Sequence, residues 1–500
     1  MKGVEPIREV VIAGGGTAGW MAAAALSAWF GEQLQITLVE SEEIGTVGVG
    51  EATIPQIHLF NRLLGFDEDA FVRATAATFK LGIRFEDWLE PGHAYIHGFG
   101  GIGRQIGKLP FHQYWLRYRA EGGPLALDAF SANLMAAQAG KFGRPARGTA
   151  SRSTLAHAYH FDAGLYAAFL RRHAETRGVR RVEGKIRAVR QHSESGHIRA
   201  LCLDGGREIG GELFLDCTGF RALLIGETMG SAYEDWSHWL PCNRAFAVPT
   251  ASAGPPDPFT RSTAREAGWQ WHIPLQHRTG NGLVFSADYW SEDSARETLL
   301  ANLSGKPLAE PRMIRFTTGK RAQGWVGNCV SLGLAGGFLE PLESTSIHMI
   351  QSAIARLVDN FPRRDFAPAA IAEYNAQTDF EYAALRDFLV LHYRLNRREG
   401  AFWRYLREMP LPDSLTQKLA LFAENGMAHR FNTELFDVPS WVQVMLGQGL
   451  EPAAWHPMAD AVSDAELARF IADTARNVEA EVAGLPAHSD HIAATCTVPN

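Results

Sequence analysis

Gly14-Gly15-Gly16-Thr17-Ala18-Gly19 fits the GxGxxG pattern. In that pattern glycines permit a tight turn and let backbone N–H groups approach a pyrophosphate at the positive end of a helix. Glu40 stands where a carboxylate at the end of a second strand would accept hydrogen bonds from an adenosine ribose. The motif in isolation also suits an ordinary glycine turn, and it leaves FAD and NAD open. Further on, Glu340-Pro341-Leu342-Glu343-Ser344-Thr345-Ser346-Ile347-His348 follows the Gly-rich run Gly333-Leu334-Ala335-Gly336-Gly337 and precedes an apolar helical pattern from Ile347 through Phe361. Its Ser and Thr residues therefore fall at a helix N-terminus. Unpaired N–H groups and the dipole there favour an anion, either a halide or the electron-rich edge of a flavin. Plain N-capping is the competing account, with Glu343 a simple first-turn acid.

Trp269-Gln270-Trp271-His272-Ile273-Pro274, placed in a strand, would project both indoles to one face as a bulky wall, although core packing is the commoner cause of such a pair. Lys80 closes a helical stretch that begins near Asp67, a place where the helix dipole favours a cation for purely structural reasons. His97-Gly98-Phe99-Gly100 reads as a turn with an aromatic anchor.

The elements that must hold these residues open with a βαβ unit: a buried strand over 9–13, an Ala-rich helix over 17–30 and a second strand over 34–40. A Gly-rich loop from Gly45 to Thr53 follows, then the helical stretch to Lys80 and a strand-like run from Leu81 to Trp88. Residues 161–178 read as helix and 212–216 as a strand ending in Cys217-Thr218-Gly219. From Ser231 to about Gly324 the pattern turns to short strands and loops, broken at Gly254-Pro255-Pro256-Asp257-Pro258. From about Ser346 the chain is mainly helical, with a capping box at Ser463 and Glu466, and from about Pro486 it reads as a loose tail.

Composition narrows the function classes. With 46% hydrophobic and 21% charged residues, the 500-residue chain is an ordinary soluble one, long enough for a large core. No stretch approaches the roughly 20 apolar residues of a membrane span, and no leader pattern precedes the first strand, so the cytoplasm is the expected location. A net charge of -7 without a long basic run argues against nucleic acid. The five cysteines form no CxxC pair, so they are expected in the core, with no zinc site or disulfide framework.

Taken together, Gly14–Gly19 beside Trp20, the Gly48-Val49-Gly50-Glu51-Ala52-Thr53-Ile54-Pro55 segment, the WxWxIP at 269–274 and Pro341-Leu342-Glu343-Ser344-Thr345 resemble the flavin-dependent tryptophan halogenases, in that family's order and to about residue 460. The resemblance implies an α/β fold: a Rossmann-like FAD-binding module of the flavin monooxygenase type, an inserted β-sheet substrate region and a mainly helical C-terminal part. It implies FAD at Gly14, Gly16, Thr17, Ala18, Gly19, Glu40, Val49, Ala52, Leu334 and Ile347, and no metal. Lys80 becomes the catalytic lysine and Glu343 its paired glutamate, with halide at Thr345 and Ser346. His97, Phe99, Ser344 and Trp441 take the substrate, and Trp269 and Trp271 keep it off the flavin. No side chain can remove two electrons from chloride or bromide, so reduced FAD with O2 must do so. The resulting hypohalous acid reaches Lys80 and then an electron-rich ring such as indole. Reduced FAD is expected from a separate, transiently bound flavin reductase, because only one dinucleotide fingerprint is visible, and a second copy of the chain is a candidate partner.

Two departures bear on specificity. Halogenases of free tryptophan carry Ser-Thr-Gly where this chain has Ser344-Thr345-Ser346, and they hold the amino-acid group with a Tyr-Tyr pair and a Glu. The corresponding stretch here reads Phe436-Asp437-Val438-Pro439-Ser440-Trp441-Val442, which favours indole or a larger indole compound over free tryptophan. The competing functions are a single-component FAD hydroxylase and a non-catalytic FAD-binding module. The expected organisation is a FAD module at 1–95 and 151–230, a substrate insertion at 96–150, a β-rich substrate region at 231–324, a FAD and halide segment at 325–362, a helical region at 363–485 and a tail at 486–500.

Overall fold

The computed structural model describes residues 4–43, 50–144 and 155–498. The chain divides into two compact units, one made of Met1–Ala77, Phe161–Asn243 and Ile314–Ala383, the other of Thr78–His160, Arg244–Met313 and Ala384–Asn500.

The first unit is built on a sheet in the order Trp325–Val326, Cys329–Ser331, Leu213–Asp216, Glu9–Ala13, Gln35–Glu40 and Arg180–Glu183. All its pairings are parallel except the short hairpin at one edge. Glu9–Ala13 is apolar and buried after its first residue, as a strand covered on both faces must be. The Ala-rich helix Thr17–Phe30 packs on it and on the helix Ala163–Glu175, its run Ala22-Ala23-Ala24-Ala25 fully buried so that small side chains allow close approach. Asp162 caps the second of these helices by accepting from the Gly164 and Leu165 N–H groups at 2.9 and 3.1 Å.

The second unit carries a mainly antiparallel sheet in which Arg244–Thr250, Thr279–Phe285, Gly268–Pro274, Thr260–Arg265, Gly82–Glu86 and Ala94–Gly98 lie side by side. Only Thr260–Arg265 and Gly82–Glu86 run parallel in that series. Around it lie helices that include Phe111–Ala120, Asp413–Asn425, Val438–Gly447, Asp464–Ala483 and His488–Thr495. The capping box at Ser463 and Glu466 forms as the sequence suggests. No helix among the described residues is long and apolar enough to cross a membrane.

Three local expectations are corrected. The helix beginning at Glu68 ends at Ala74, where the Thr75 hydroxyl bonds back to the Phe71 carbonyl at 2.8 Å and Ala76 takes a φ of 50°. Lys80 therefore sits not in a last helical turn but on the strand Thr78–Lys80, paired with Ala158. His97 and Gly98 belong to the strand Ala94–Gly98 rather than to a turn. The tail is a folded element: Phe142 N–H donates to Pro486 O and His488 N–H to Gly140 O, and the helix His488–Thr495 buries His488 and Ile492. Cys242, Cys329 and Cys496 are core residues as expected, while Cys202 and Cys217 are only half-buried; all five are free thiols.

Candidate active site

In the first unit the glycines of the 14–19 turn do separate jobs. Gly14 has φ +107°, and a Cβ there would lie 2.3 Å from the Cys217 carbonyl oxygen; one on Gly19 would lie 1.9 Å from the Gly14 oxygen. These two bring helix and strand into contact. Gly16 differs, because nothing lies within 4 Å of a Cβ built on it and it caps the helix Thr17–Phe30 without any side-chain bond. The N–H groups of Thr17, Ala18 and Gly19 have no acceptor within the helix. Donors beside open ground are what a pyrophosphate requires, so the turn fits a dinucleotide.

Glu40 ends its strand held by Arg181 Nε at 2.5 Å and Trp20 Nε1 at 3.3 Å. The turn that carries Leu334 is drawn to the same helix start, since a Cβ on Gly333 would lie 2.9 Å from Ala18 Cβ. Ala52 is buried at the end of the strand Gly50–Ala52, and Val49 lies outside the described residues.

The helix Ser346–Asp359 starts where the sequence places it, with Thr345 as its N-cap, but Thr345 makes no side-chain capping bond. Simple side-chain capping therefore does not account for these residues. Ser344 holds a left-handed φ of 60°, a conformation rare for a residue with a side chain. Glu343 is not a first-turn acid of this helix: it sits in the tight turn Pro341–Glu343 and is 1% exposed. Ser344, Thr345 and Ile347 are buried beside it in sequence, with Ser346 half-buried.

In the second unit Lys80 is 0% exposed, with its Nζ 5.2 Å from the centre of the Phe99 ring. A buried ammonium is costly, and the electron-rich face of an aromatic ring is one of few apolar surfaces that favours it. Opposite Thr78, His160 is bonded between the Thr78 hydroxyl at 3.1 Å and the Thr260 hydroxyl at 2.9 Å. Burial first, and then the Lys80 charge, hold its pKa well below the usual imidazole range, so the ring is neutral. His97 lies 5.5 Å from Phe388 and 5.9 Å from Phe436, while Trp441 meets Phe388 edge-on at 4.9 Å. His97 and Trp441 thus share one aromatic box. Trp269 and Trp271 are buried on one strand face with ring centres 6.1 Å apart, and Gly282 makes room for the second: a Cβ there would strike its ring at 2.0 Å.

Residues 9–464 match the family model described as tryptophan halogenase. The chain belongs to the tryptophan halogenase family. A tryptophan 6-halogenase from Streptomyces toxytricini is 36% identical over 513 residues, which cover 93% of this chain and 96% of the relative. Among solved structures, a flavin-dependent halogenase from Xanthomonas campestris aligns with a TM-score of 0.96 at 52% identity, covering 99% of both chains. Another, from Brevundimonas sp. BAL3, aligns with a TM-score of 0.94 at 48% identity, again over 99% of both. The protein is accordingly a flavin-dependent halogenase of α/β fold, and flavin-dependent halogenases use FAD. Because the space at Gly16 is open, Gly16→Ala in this halogenase is expected to keep the wild-type melting temperature while weakening FAD about tenfold or more, ~1.4 kcal/mol, by titration of flavin fluorescence. Equal loss of stability and affinity would return Gly16 to a purely structural part.

Several residues packed around these side chains carry no motif in the sequence, apart from Phe436 in the 436–442 stretch. Phe388 and Phe436 stack at 3.9 Å, and Lys418 lies 4.6 Å from the Trp441 ring while bonding Glu434 at 2.9 Å. Gln443 clips the end of the His97 strand, accepting from Gly98 N–H at 2.8 Å. His348, in the first turn of the Ser346–Asp359 helix, bonds Glu381 at 3.2 Å, and Ser352 and Arg356 bond the same carboxylate. Burial alone would raise Glu381, but these partners outweigh it and hold the carboxyl below its ordinary value. Burial pushes the Glu51 carboxyl up to about 7 within the module's second Gly-rich motif.

Proposed function

We propose that this halogenase oxidises bromide or chloride to hypohalous acid and uses it to halogenate an indole-type ring, with reduced FAD delivered by a separate flavin reductase. The observation that carries the reading is Lys80, a lysine that is fully buried on a strand with its Nζ 5.2 Å from the centre of the Phe99 ring. FAD in its reduced form supplies, with O2 and a proton, the two-electron oxidation of halide to hypohalous acid and water. The N–H groups at Thr345 and Ser346 hold the halide. The Lys80 ammonium donates a hydrogen bond to the hypohalite oxygen and makes the halogen electrophilic; Phe99 beneath it favours the charged form. As the carbon–halogen bond forms and the halogen–oxygen bond breaks, the leaving oxygen takes a proton from the Lys80 ammonium and departs as water, the ring proton passes to the Glu343 carboxylate, and return of that proton to Lys80 resets both groups. His97, Phe99, Ser344 and Trp441 position the ring, and Trp269 with Trp271 keeps it off the flavin.

The named Streptomyces relative acts on tryptophan. Here the stretch expected to grip an amino-acid group carries Phe436 and Trp441, which supports indole over free tryptophan. Mass spectrometry of indole and tryptophan offered together, with enzyme, FAD, reductase, NADH and bromide, is expected to give bromoindole in excess. Bromotryptophan as the main product would overturn the substrate, and full product without the reductase would overturn the partner.

Ser346 places a Cβ and a hydroxyl at a site that must partly dehydrate an anion. Bromide sheds water more easily and is easier to oxidise, so it is expected to be preferred at equal halide concentration. Ser346→Gly should shift the ratio toward chloride by about tenfold, or ~1.4 kcal/mol in barrier. A product ratio unchanged in the variant would clear Ser346 of responsibility.

A further inference from the structure

Lys80 ends an edge strand only three residues long, and such a strand cannot fix a side chain by ladder bonds alone. Its inner edge pairs with Ala158–His160. On its outer side the Phe79 N–H donates to His488 Nε2 at 3.1 Å, and the Leu81 N–H donates to Pro258 O at 2.7 Å. The residues on both sides of Lys80 are therefore held by groups that are not strands. His488 is tied in turn: its Nδ1 donates to Pro256 O at 2.8 Å. A ring that accepts at Nε2 and donates at Nδ1 is a neutral imidazole in one tautomer. Burial brings its pKa down to about 4, which keeps that state through neutral pH.

The Phe79 side chain, pointing opposite to Lys80 along the strand, stacks on Phe142 at 4.2 Å and meets His491 at 5.4 Å. The helix His488–Thr495 and the Pro-rich break at 254–258 thus hold the backbone on either side of Lys80, and that helix lies beyond the 9–464 span of the family match.

We propose that His488 is a positioning residue for Lys80, replacing a missing neighbour strand so that the ammonium meets hypohalite in place of letting it escape. This rests on the reading of Lys80 above. A displacement of about 1 Å at a reacting group can cost on the order of a hundredfold, so one backbone bond is enough to matter.

Two substitutions in the full-length enzyme separate the ring's two bonds. In His488→Asn the amide can still donate to Pro256 O but nothing accepts from Phe79; in His488→Gln the side-chain oxygen can reach the Phe79 N–H. Each is assayed with Lys80→Ala in FAD, reductase, NADH, bromide and indole, reading bromoindole and, in parallel, hypobromous acid trapped by added monochlorodimedone. His488→Asn is expected to lose bromoindole about tenfold while trapped oxidant rises, and His488→Gln to stay within about twofold of wild type. Wild-type values for both outputs in His488→Asn, or an equal fall in both, overturn the inference. If Lys80→Ala leaves bromoindole unchanged, the Lys80 reading falls and this inference with it; if Lys80→Ala separates the outputs and His488→Asn does not, this inference falls alone. Should His488→Asn fail to fold, 15N spectra of the wild-type imidazole decide: protonation at Nδ1 alone at neutral pH supports the inference, and any other state overturns it.

Discussion

Lys80→Ala is expected to lower indole halogenation about a thousandfold while halide oxidation continues and the protein stays folded with FAD bound. Burying an ammonium at 0% exposure gives up its hydration, and the Phe99 ring with its centre 5.2 Å away is one surface that favours the charge. Lys80→Met, which keeps the length and removes the charge, is expected to leave the melting temperature unchanged or raised, because replacing a buried ion by an apolar side chain of similar volume is often neutral or stabilising. It should be as inactive as Lys80→Ala. A large loss of stability in Lys80→Met, or retained product in either variant, would show that Lys80 serves the fold or that oxidant released to solvent does the work.

Glu343→Gln is expected to reduce the turnover number about a hundredfold without raising the halide KM. Glutamine matches the shape of a carboxylate that is 1% exposed and sits in a tight turn, so the turn and the left-handed Ser344 that follows it are preserved. What is lost is the base. Removing a negative charge so near Thr345 and Ser346 should, if anything, ease the binding of another anion, so halide affinity holds or improves while turnover falls. A structural role predicts the reverse split, with halide KM rising as the helix start loosens. Steady-state kinetics varied in bromide at saturating indole distinguish the two.

The parts of this molecule that could be read from the sequence are those whose signal is local. Glu9–Ala13, Thr17–Phe30 and Gln35–Glu40 follow from periodicity and glycine spacing, and they form within a residue or so of where the pattern puts them. The helix start at Thr345 and Ser346 was legible for the same reason. Lys80 was misplaced on a helix because the pattern from Asp67 continues past the true end, whereas the chain leaves the helix through Thr75 and a positive φ at Ala76 and then takes a strand partner 78 residues away in sequence at Ala158. The tail gives no such signal because its stabilising contacts, Gly140, Phe142 and Pro256, lie still further away in sequence. Phe388, Gln443 and the Lys418–Glu434 pair carry no motif at all; only tertiary packing gathers them around His97 and Trp441.

In the proposed mechanism hypohalous acid is made and consumed inside the protein. The most direct measurement of this is the yield of bromoindole per NADH oxidised in the presence of excess free methionine, which destroys hypobromous acid in bulk solution. A yield close to that without methionine is expected for the wild type. Loss of bromoindole in proportion to added methionine would contradict it, since the ring would then be brominated by oxidant that had already left the enzyme.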